Sequence, residues 1–405
     1  MEQVQIKSLL QSKIFGHPSV KNFNPYSQYV LKKLSDCHTV RLGMHVYSCN
    51  HCDHIHHQYH SCGNRHCPNC GGLKREQWMQ DRLSELLPTS YFHIVFTLPE
   101  ELRSLAMGNR KILFNLLFEA SNYTLRTLGE DKKHLGGTPG IISILHTNGQ
   151  DLTFHPHIHS IVTGGGLSKE GEWQKEKRKN GNFLFPRRAL EKVFKGYFLD
   201  RLSQFHKAEK LQIEDEIQYQ NTLKTVRYKK WNVYAKAPFG GPHQIMEYLG
   251  RYTHKVAIST HRIKEITDQN ITFRYKDYKD KNKQKEMTLS HEEFLRRFEQ
   301  HILPKGFVKI RHSGFLSHQN KGKRLASICE QLKISPPPPK VQLPVQVLAA
   351  MTYGTDITQC SICKIGKLER IASYVNVAKQ GVKLVNTNDL NPRGSPQKIQ
   401  TAPWN

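Results

Sequence analysis

Three histidines alternate along Thr153-Phe154-His155-Pro156-His157-Ile158-His159-Ser160-Ile161-Val162. In an extended strand alternate side chains share a face, so His157 and His159 would project together about 7 Å apart. His155 joins them if the strand begins that early, although Pro156 marks a strand edge or entry point. Imidazoles fixed on one rigid face are a ready chelate for a divalent cation. The plainer reading is a solvated polar face. It fits less well with histidines that run straight into apolar Ile161-Val162 and a Gly164-Gly165-Gly166 turn. A second candidate is the pair Tyr248 and Tyr252 in Tyr248-Leu249-Gly250-Arg251-Tyr252-Thr253-His254. Spaced by four on a helix, the two hydroxyls share a face. Tyrosines at that spacing are commonly ordinary packing with a wet tip, so the pair alone leaves packing and chemistry both open.

The nine cysteines supply the other chemistry. Cys37, Cys49, Cys52, Cys62, Cys67 and Cys70 crowd one segment, Cys360 and Cys363 form a late pair, and Cys329 stands alone. An odd total, CxxC spacings and no secretion signal at the N-terminus favour metal thiolates over disulfides. Cys49-x2-Cys52 and Cys67-x2-Cys70 are separated by fourteen residues. Each makes a tight knuckle, and two knuckles close a four-ligand structural Zn²⁺ site. Such a ribbon has no core of its own, so the metal supplies its folding energy. Cys62, His66 and the histidines from His51 to His60 crowd the same loop and could substitute as ligands or hold a second ion; solvation or contact with phosphate is the simpler role. Cys360 and Cys363 make half a zinc site, whose other half must come from elsewhere in the chain. Arg65, Lys74 and Arg75 lie close by and suit a DNA grip.

These groups need elements to hold them. A chain of 405 residues with 37% apolar content and a mean hydropathy of −0.61 is long enough for two or three domains and has a wet surface. No apolar run reaches the length of a membrane span, which together with the missing export signal points to the cytoplasm. Sixty Lys plus Arg against thirty-four Asp plus Glu leave +26, so a polyanion is the expected partner and nucleic acid the leading one. Residues 1–36 read as a helical segment and 37–72 as the zinc-binding domain. The chemistry falls in 73–333, and 334–405 form a stiff proline linker, the late knuckle and a polar, disordered tail. Tyr91 to Leu98 and Ile141 to Leu145 read as strands. Asn148-Gly149 turns the second of them into the histidine strand, giving an antiparallel hairpin. A helix spans about 187–207, and another follows the Pro238-Phe239-Gly240-Gly241-Pro242 break, carrying the tyrosines.

In order along the chain, CGNRHCPNC, HPHIHSIVTGGG, MEYLGRYTHKVAIS and FVKIRHSGFLS closely resemble the two-tyrosine HUH transposases of rolling-circle insertion sequences, the IS91 type. The resemblance runs from about Cys49 to Leu325. It implies an α+β fold: an antiparallel HUH-type sheet with packed helices, preceded by a small zinc-ribbon domain. By the same resemblance His157 and His159 bind a catalytic Mg²⁺ or Mn²⁺, and Tyr248 and Tyr252 are nucleophiles that leave 5′-phosphotyrosine linkages on single-stranded DNA. A third ligand would be His155, from the same strand, or Gln244, one turn before Tyr248. Arg251 would either clamp phosphate or make an outward salt bridge, and Arg311 and His312 are weaker candidates. A phenol of pKa about 10 is a poor nucleophile at neutral pH unless something stabilises its anion, which a cation at the scissile phosphate fits. The linkage retains bond energy, consistent with the lack of a GxxxxGK[ST] nucleotide motif.

Three other readings compete. A zinc-ribbon DNA regulator would bind without nicking. A two-metal hydrolase would want an acidic ligand close behind the histidines, yet the nearest acids downstream, Glu170 and Glu172, lie past the glycines. A replication initiator or relaxase would share the chemistry.

Overall fold

The structure, a computed structural model, describes residues 3–177, 183–239, 244–245, 250, 256–278, 280–377 and 381–385. It divides into two compact units: one of residues 1–77, 258–299 and 342–405, the other of 78–257 and 300–341. Domains read as consecutive blocks along the sequence therefore differ from the observed division. The first unit draws on three separate stretches of chain.

The strands are numbered along the chain. β1 (Gly43–Cys49) and β2 (Ile55–Tyr59) come first, then β3 (Tyr91–Thr97), β4 (Thr138–Asn148), β5 (Phe154–Leu167), β6 (Trp173–Lys175) and β7 (Val233–Ala235). β8 (Ile263–Ile266), β9 (Asn270–Asp277) and β10 (Lys283–Ser290) form a three-stranded meander. β11 (Ile310–Ser313), β12 (Leu368–Val377) and β13 (Gly381–Val385) complete the set.

In the second unit the order is β11-β4-β5-β3-β7, with β6 paired to β5. Every pairing is antiparallel. β5 therefore sits in the middle, flanked on both sides by neighbours that fix its face. Alternation sorts its side chains. Phe154, Ile158 and Val162 join Phe92, Ile94 and Phe96 of β3 and Ile141 and Leu145 of β4 in the larger core. Helices Arg110–Glu130 and Arg187–Lys207 cover that face. The second helix presents Leu190, Phe194, Phe198 and Leu202, one residue per turn, and Trp231 closes the layer against Phe194 and Phe198. Deleting one of these rings would cost about 3–5 kcal/mol.

The opposite face is split. One end is apolar, with Ile142, Ile144 and Ile161 packed under Phe315, Leu316, Leu325 and Ile328; the other end carries the histidines. Gly164, Gly165 and Gly166 continue β5 instead of turning. The Trp173 ring lies where a Cβ on Gly165 would approach it to 2.0 Å, so the glycines allow β6 to fold back onto the strand.

In the first unit the order is β13-β12-β1-β2, so a strand from the C-terminal region lies inside a sheet begun near the N-terminus. Gly43, at φ +88°, starts β1 where a Cβ would meet the Tyr374 carbonyl oxygen. The tail expected to be disordered from Asn386 onward lies outside the described residues. No helix among the described residues is long and apolar enough to cross a membrane.

Candidate metal centres and active site

Two thiolate clusters and one imidazole cluster stand out. Their ligand atoms lie within 4.8 Å of one another in each: Cys37, Cys62, Cys67 and Cys70; Cys49, Cys52, Cys360 and Cys363; and His146, His157 and His159. The zinc ligands read from the sequence, Cys49, Cys52, Cys67 and Cys70, thus do not form one site. Cys67 and Cys70 join Cys37 and Cys62, whereas Cys49 and Cys52 join the late knuckle. The cause is topological. β2 leads away from Cys52, while β12 runs antiparallel to β1 and brings Leu368 opposite Cys49.

In the first cluster Cys37 Sγ lies 3.3 Å from Cys70 and 3.7 Å from Cys67, and Cys62 lies 3.7 Å from Cys70. Backbone N–H groups of Cys62 and Asn64 point at the Cys37 and Cys62 sulfurs, at 3.3 and 3.5 Å. His38 is raised above the usual imidazole range, chiefly by its hydrogen bond to the Cys70 sulfur. In the second cluster the Cys363 thiol is pulled down to about 6, led by the N–H groups of Gly366 and Ile365. Among the described residues neither cluster contains a histidine, so the His51–His60 run does not supply ligands. Cys329 is buried in the apolar end of the second unit's sheet face, apart from both. Arg65 and Lys74 are exposed and Arg75 is half-buried.

The imidazole cluster follows from register. β4 pairs with β5 so that His146 faces His157 and Ile144 faces His159. Directly opposed residues share a face, which places His146 beside the alternating pair. Ring centroids of His146 lie 5.5 Å from His157 and 4.5 Å from His159, and those two lie 4.8 Å apart. Sequence reasoning missed His146. No count along the sequence finds it: a two-residue Asn148-Gly149 turn would set it opposite Asp151, whereas the strands pair Asn148 with Phe154 and shift register before His146 meets His157.

His155 is not part of this cluster, which corrects its expected role as third ligand. Its Nδ1 accepts from Arg103, 2.8 Å away, and its pKa is lowered by burial and then by that guanidinium. Pro156 explains the change: it sits beside the β4 irregularity between His146 and Asn148, near the strand's entry. Gln244, the other candidate, is exposed. Tyr248, Arg251 and Tyr252 lie outside the described residues. Ile245, three positions before Tyr248, is buried with Ile142, Ile144 and Ile161 on the histidine-bearing face.

Surrounding groups set the histidine tautomers. His157 Nδ1 is 2.6 Å from the His155 carbonyl oxygen and donates to it, so Nε2 is the nitrogen that can serve as a ligand. His159 Nδ1 is 2.9 Å from His93 Nε2. His93 is pushed down to about 3 by burial and then by Lys236, so it is neutral and can accept from His159. Nε2 of His159 is then the nitrogen that can serve as a ligand. Three imidazoles converge, two of them with their rings oriented by these contacts. Arg311 and His312, the weaker candidates, are absorbed into the fold. Arg311 stacks 4.1 Å over Phe118 and 5.3 Å over Phe307. His312 is pushed down to about 3 by burial, with Arg82 and Lys321 next.

An antiparallel α+β sheet with a histidine–hydrophobe–histidine motif on its central strand, in a chain with thiolate clusters, defines the HUH class with an appended zinc-binding domain. The transposase zinc-binding domain family matches residues 8–98, and a putative transposase family matches 140–324. The putative transposase y4qJ of Sinorhizobium fredii is 40% identical over 359 residues, covering 86% of this chain and 89% of that protein. The transposase for insertion sequence element IS801 of Pseudomonas savastanoi pv. phaseolicola is 31% identical over 361 residues, covering 87% and 85%. A solved structure, the conjugative relaxase TrwC in complex with oriT DNA in copper-bound form, matches 39% of this chain and 68% of its own at 11% identity. Its TM-score is 0.20. The chain belongs to the IS91-type family of transposases.

Proposed function

We propose that this transposase cuts and rejoins single DNA strands in rolling-circle transposition, with Tyr248 and Tyr252 as nucleophiles. Each attack would join a phenolic oxygen to a scissile phosphorus and release a 3′-hydroxyl. The resulting 5′-phosphotyrosine keeps the bond energy, and a 3′-hydroxyl can reverse the step without a nucleotide cofactor. Two tyrosines at helical spacing would allow two strand ends to be held together.

The convergence of His146 of β4 with His157 and His159 of the central strand carries this reading. Their imidazole nitrogens fit a divalent cation, Mg²⁺ or Mn²⁺, which when bound would draw charge from the phosphate oxygens and favour in-line attack. His157 and His159 are preset for that role by the His155 carbonyl and by His93. Burial of Ile245 on the same face supports the tyrosine-bearing stretch working beside the histidines. Arg251 would meet phosphate, and Arg65, Lys74 and Arg75 would track the backbone of DNA, with the +26 net charge supplying long-range attraction.

The test incubates the protein with an end-labelled single-stranded oligonucleotide carrying the element end and Mn²⁺. A labelled protein–DNA species on a denaturing gel is expected, lost in Tyr248→Phe/Tyr252→Phe and in His157→Ala. Tight binding with no covalent species in the wild type would leave a DNA-binding regulator instead.

A further inference from the structure

We propose that Cys49, Cys52, Cys360 and Cys363 hold a second structural zinc ion, which clasps the segment beyond the transposase core onto the N-terminal sheet. The zinc-binding and transposase family regions end at residues 98 and 324, so Cys360 and Cys363 lie outside both.

Sulfur spacing makes the first argument. Cys49 Sγ is 3.7 Å from Cys363 Sγ, and Cys52 Sγ is 3.9 Å from Cys360 Sγ. A tetrahedral zinc with Zn–S bonds of about 2.3 Å has sulfur–sulfur edges of about 3.8 Å. A disulfide would bring the sulfurs to about 2.05 Å. The four thiols are spread as ligands of one ion.

The backbone supplies the second argument. The N–H of His51 points at Cys49 Sγ from 3.4 Å and that of Gly366 at Cys363 Sγ from 3.3 Å, each supporting thiolate charge. The two knuckles are also stitched together directly. Asn50 N donates to the Lys367 carbonyl at 3.0 Å, and Lys367 N donates to Asn50 Oδ1 at 2.8 Å. Gly366 permits this approach, because a Cβ there would lie 2.5 Å from Cys49 Sγ and 2.6 Å from His51 Cβ.

The third argument concerns what the clasp would stabilise. β1 and β2 alone are a two-stranded hairpin, which is marginal in water. β12 pairs with β1 from Gly43↔Val375 to Cys49↔Leu368, and the Cys360–Gly366 knuckle precedes that pairing directly. Metal binding here is folding free energy, with protons released from the thiols. It becomes available only after residue 366 has been made, so the N-terminal sheet is completed last. The other four-cysteine cluster uses residues 37–70 alone and can fill early.

The experiment measures zinc per chain by plasma mass spectrometry on full-length protein. Two ions are expected in the wild type, falling to one in Cys360→Ser/Cys363→Ser. Gly366→Ala keeps all the cysteines and should also fall to one. Because serine variants can fold poorly, native wild-type protein is also alkylated with iodoacetamide and mapped by peptide mass spectrometry. Cys360 and Cys363 should be protected until a chelator is added, then react together with Cys49 and Cys52. One ion in the wild type, two retained in Cys360→Ser/Cys363→Ser, or free labelling of Cys360 and Cys363 before chelation would each overturn the proposal.

Discussion

Replacing His146 by alanine probes the residue that register, not motif, places in the proposed catalytic centre. Its ring stands opposite His157, and it supplies one of three nitrogens within 4.8 Å of one another. Loss of a mere outer partner of a metal-binding histidine typically costs about 10–100-fold in affinity. Loss of a ligand should cost at least the upper end of that range, about 100-fold or 2.7 kcal/mol. Main-chain pairing of β4 with β5 does not depend on the side chain, so the sheet should persist, as far-UV circular dichroism can verify. Mn²⁺ affinity would be read by electron paramagnetic resonance, and the Mn²⁺ dependence of oligonucleotide cleavage in parallel. Both curves should move to higher Mn²⁺ in His146→Ala. His155→Ala should leave the Mn²⁺ curve in place, because its Nδ1 is engaged by Arg103. Equal losses in the two variants would refute the assignment and return the ion to the histidines of β5 alone.

Other perturbations test neighbouring parts. Glu85 is nearly buried and pairs with Arg82 at 3.0 Å, with Lys321 and with the exposed Lys340, so Glu85→Gln leaves the largely buried Arg82 and Lys321 uncompensated. A loss of about 3–5 kcal/mol by urea unfolding is expected, and an unshifted midpoint would contradict it. His312 is neutral in the fold, with its pKa pushed down to about 3, but takes a proton once unfolded below about pH 6.5. The unfolded chain therefore binds more protons in that window, and stability should fall as pH drops from 7 to 5, by about 2 kcal/mol from this residue. His312→Asn should flatten the slope by that amount; a slope it leaves unchanged would count against the burial argument. His146→Asp keeps a ligand but adds a negative charge, so Mn²⁺ should still bind while oligonucleotide affinity at the centre falls. Unchanged DNA affinity would argue that phosphate does not meet the ion.

What could be read in advance was local. Helix Arg187–Lys207 was expected at about the same bounds, because Leu190, Phe194, Phe198 and Leu202 repeat once per turn. The hairpin of β4 and β5 followed from β-branched runs around Asn148-Gly149. Partnerships across the chain were not legible. CxxC spacing says that two thiols share an ion but not which second pair completes it, and nearby Cys67-x2-Cys70 looked the natural partner for Cys49-x2-Cys52. The pairing is decided by β12 adding to β1 from more than three hundred residues away, a contact without a local signature. His146 was hidden differently. Its partners are close in sequence, but they meet only through the observed hairpin register, and Pro156 with the β4 irregularity shifts that register just where His155 would have entered.

The donor set also separates the competing chemistries. A hydrolytic two-metal site generally needs carboxylates to hold two cations close together and offset their repulsion. Among the described residues the second unit's cluster contains three histidines and no acid. Imidazoles that bind as neutral ligands leave a single dication's charge uncancelled. A phosphodiester is the anion best placed to answer that charge, and its developing negative charge during attack would be favoured more than its ground state. His93 and the His155 carbonyl orient two of the rings, as outer partners of metal-binding histidines do. One cation serving one backbone phosphate at a time would suit the proposed sequential strand cleavage and rejoining by two tyrosines.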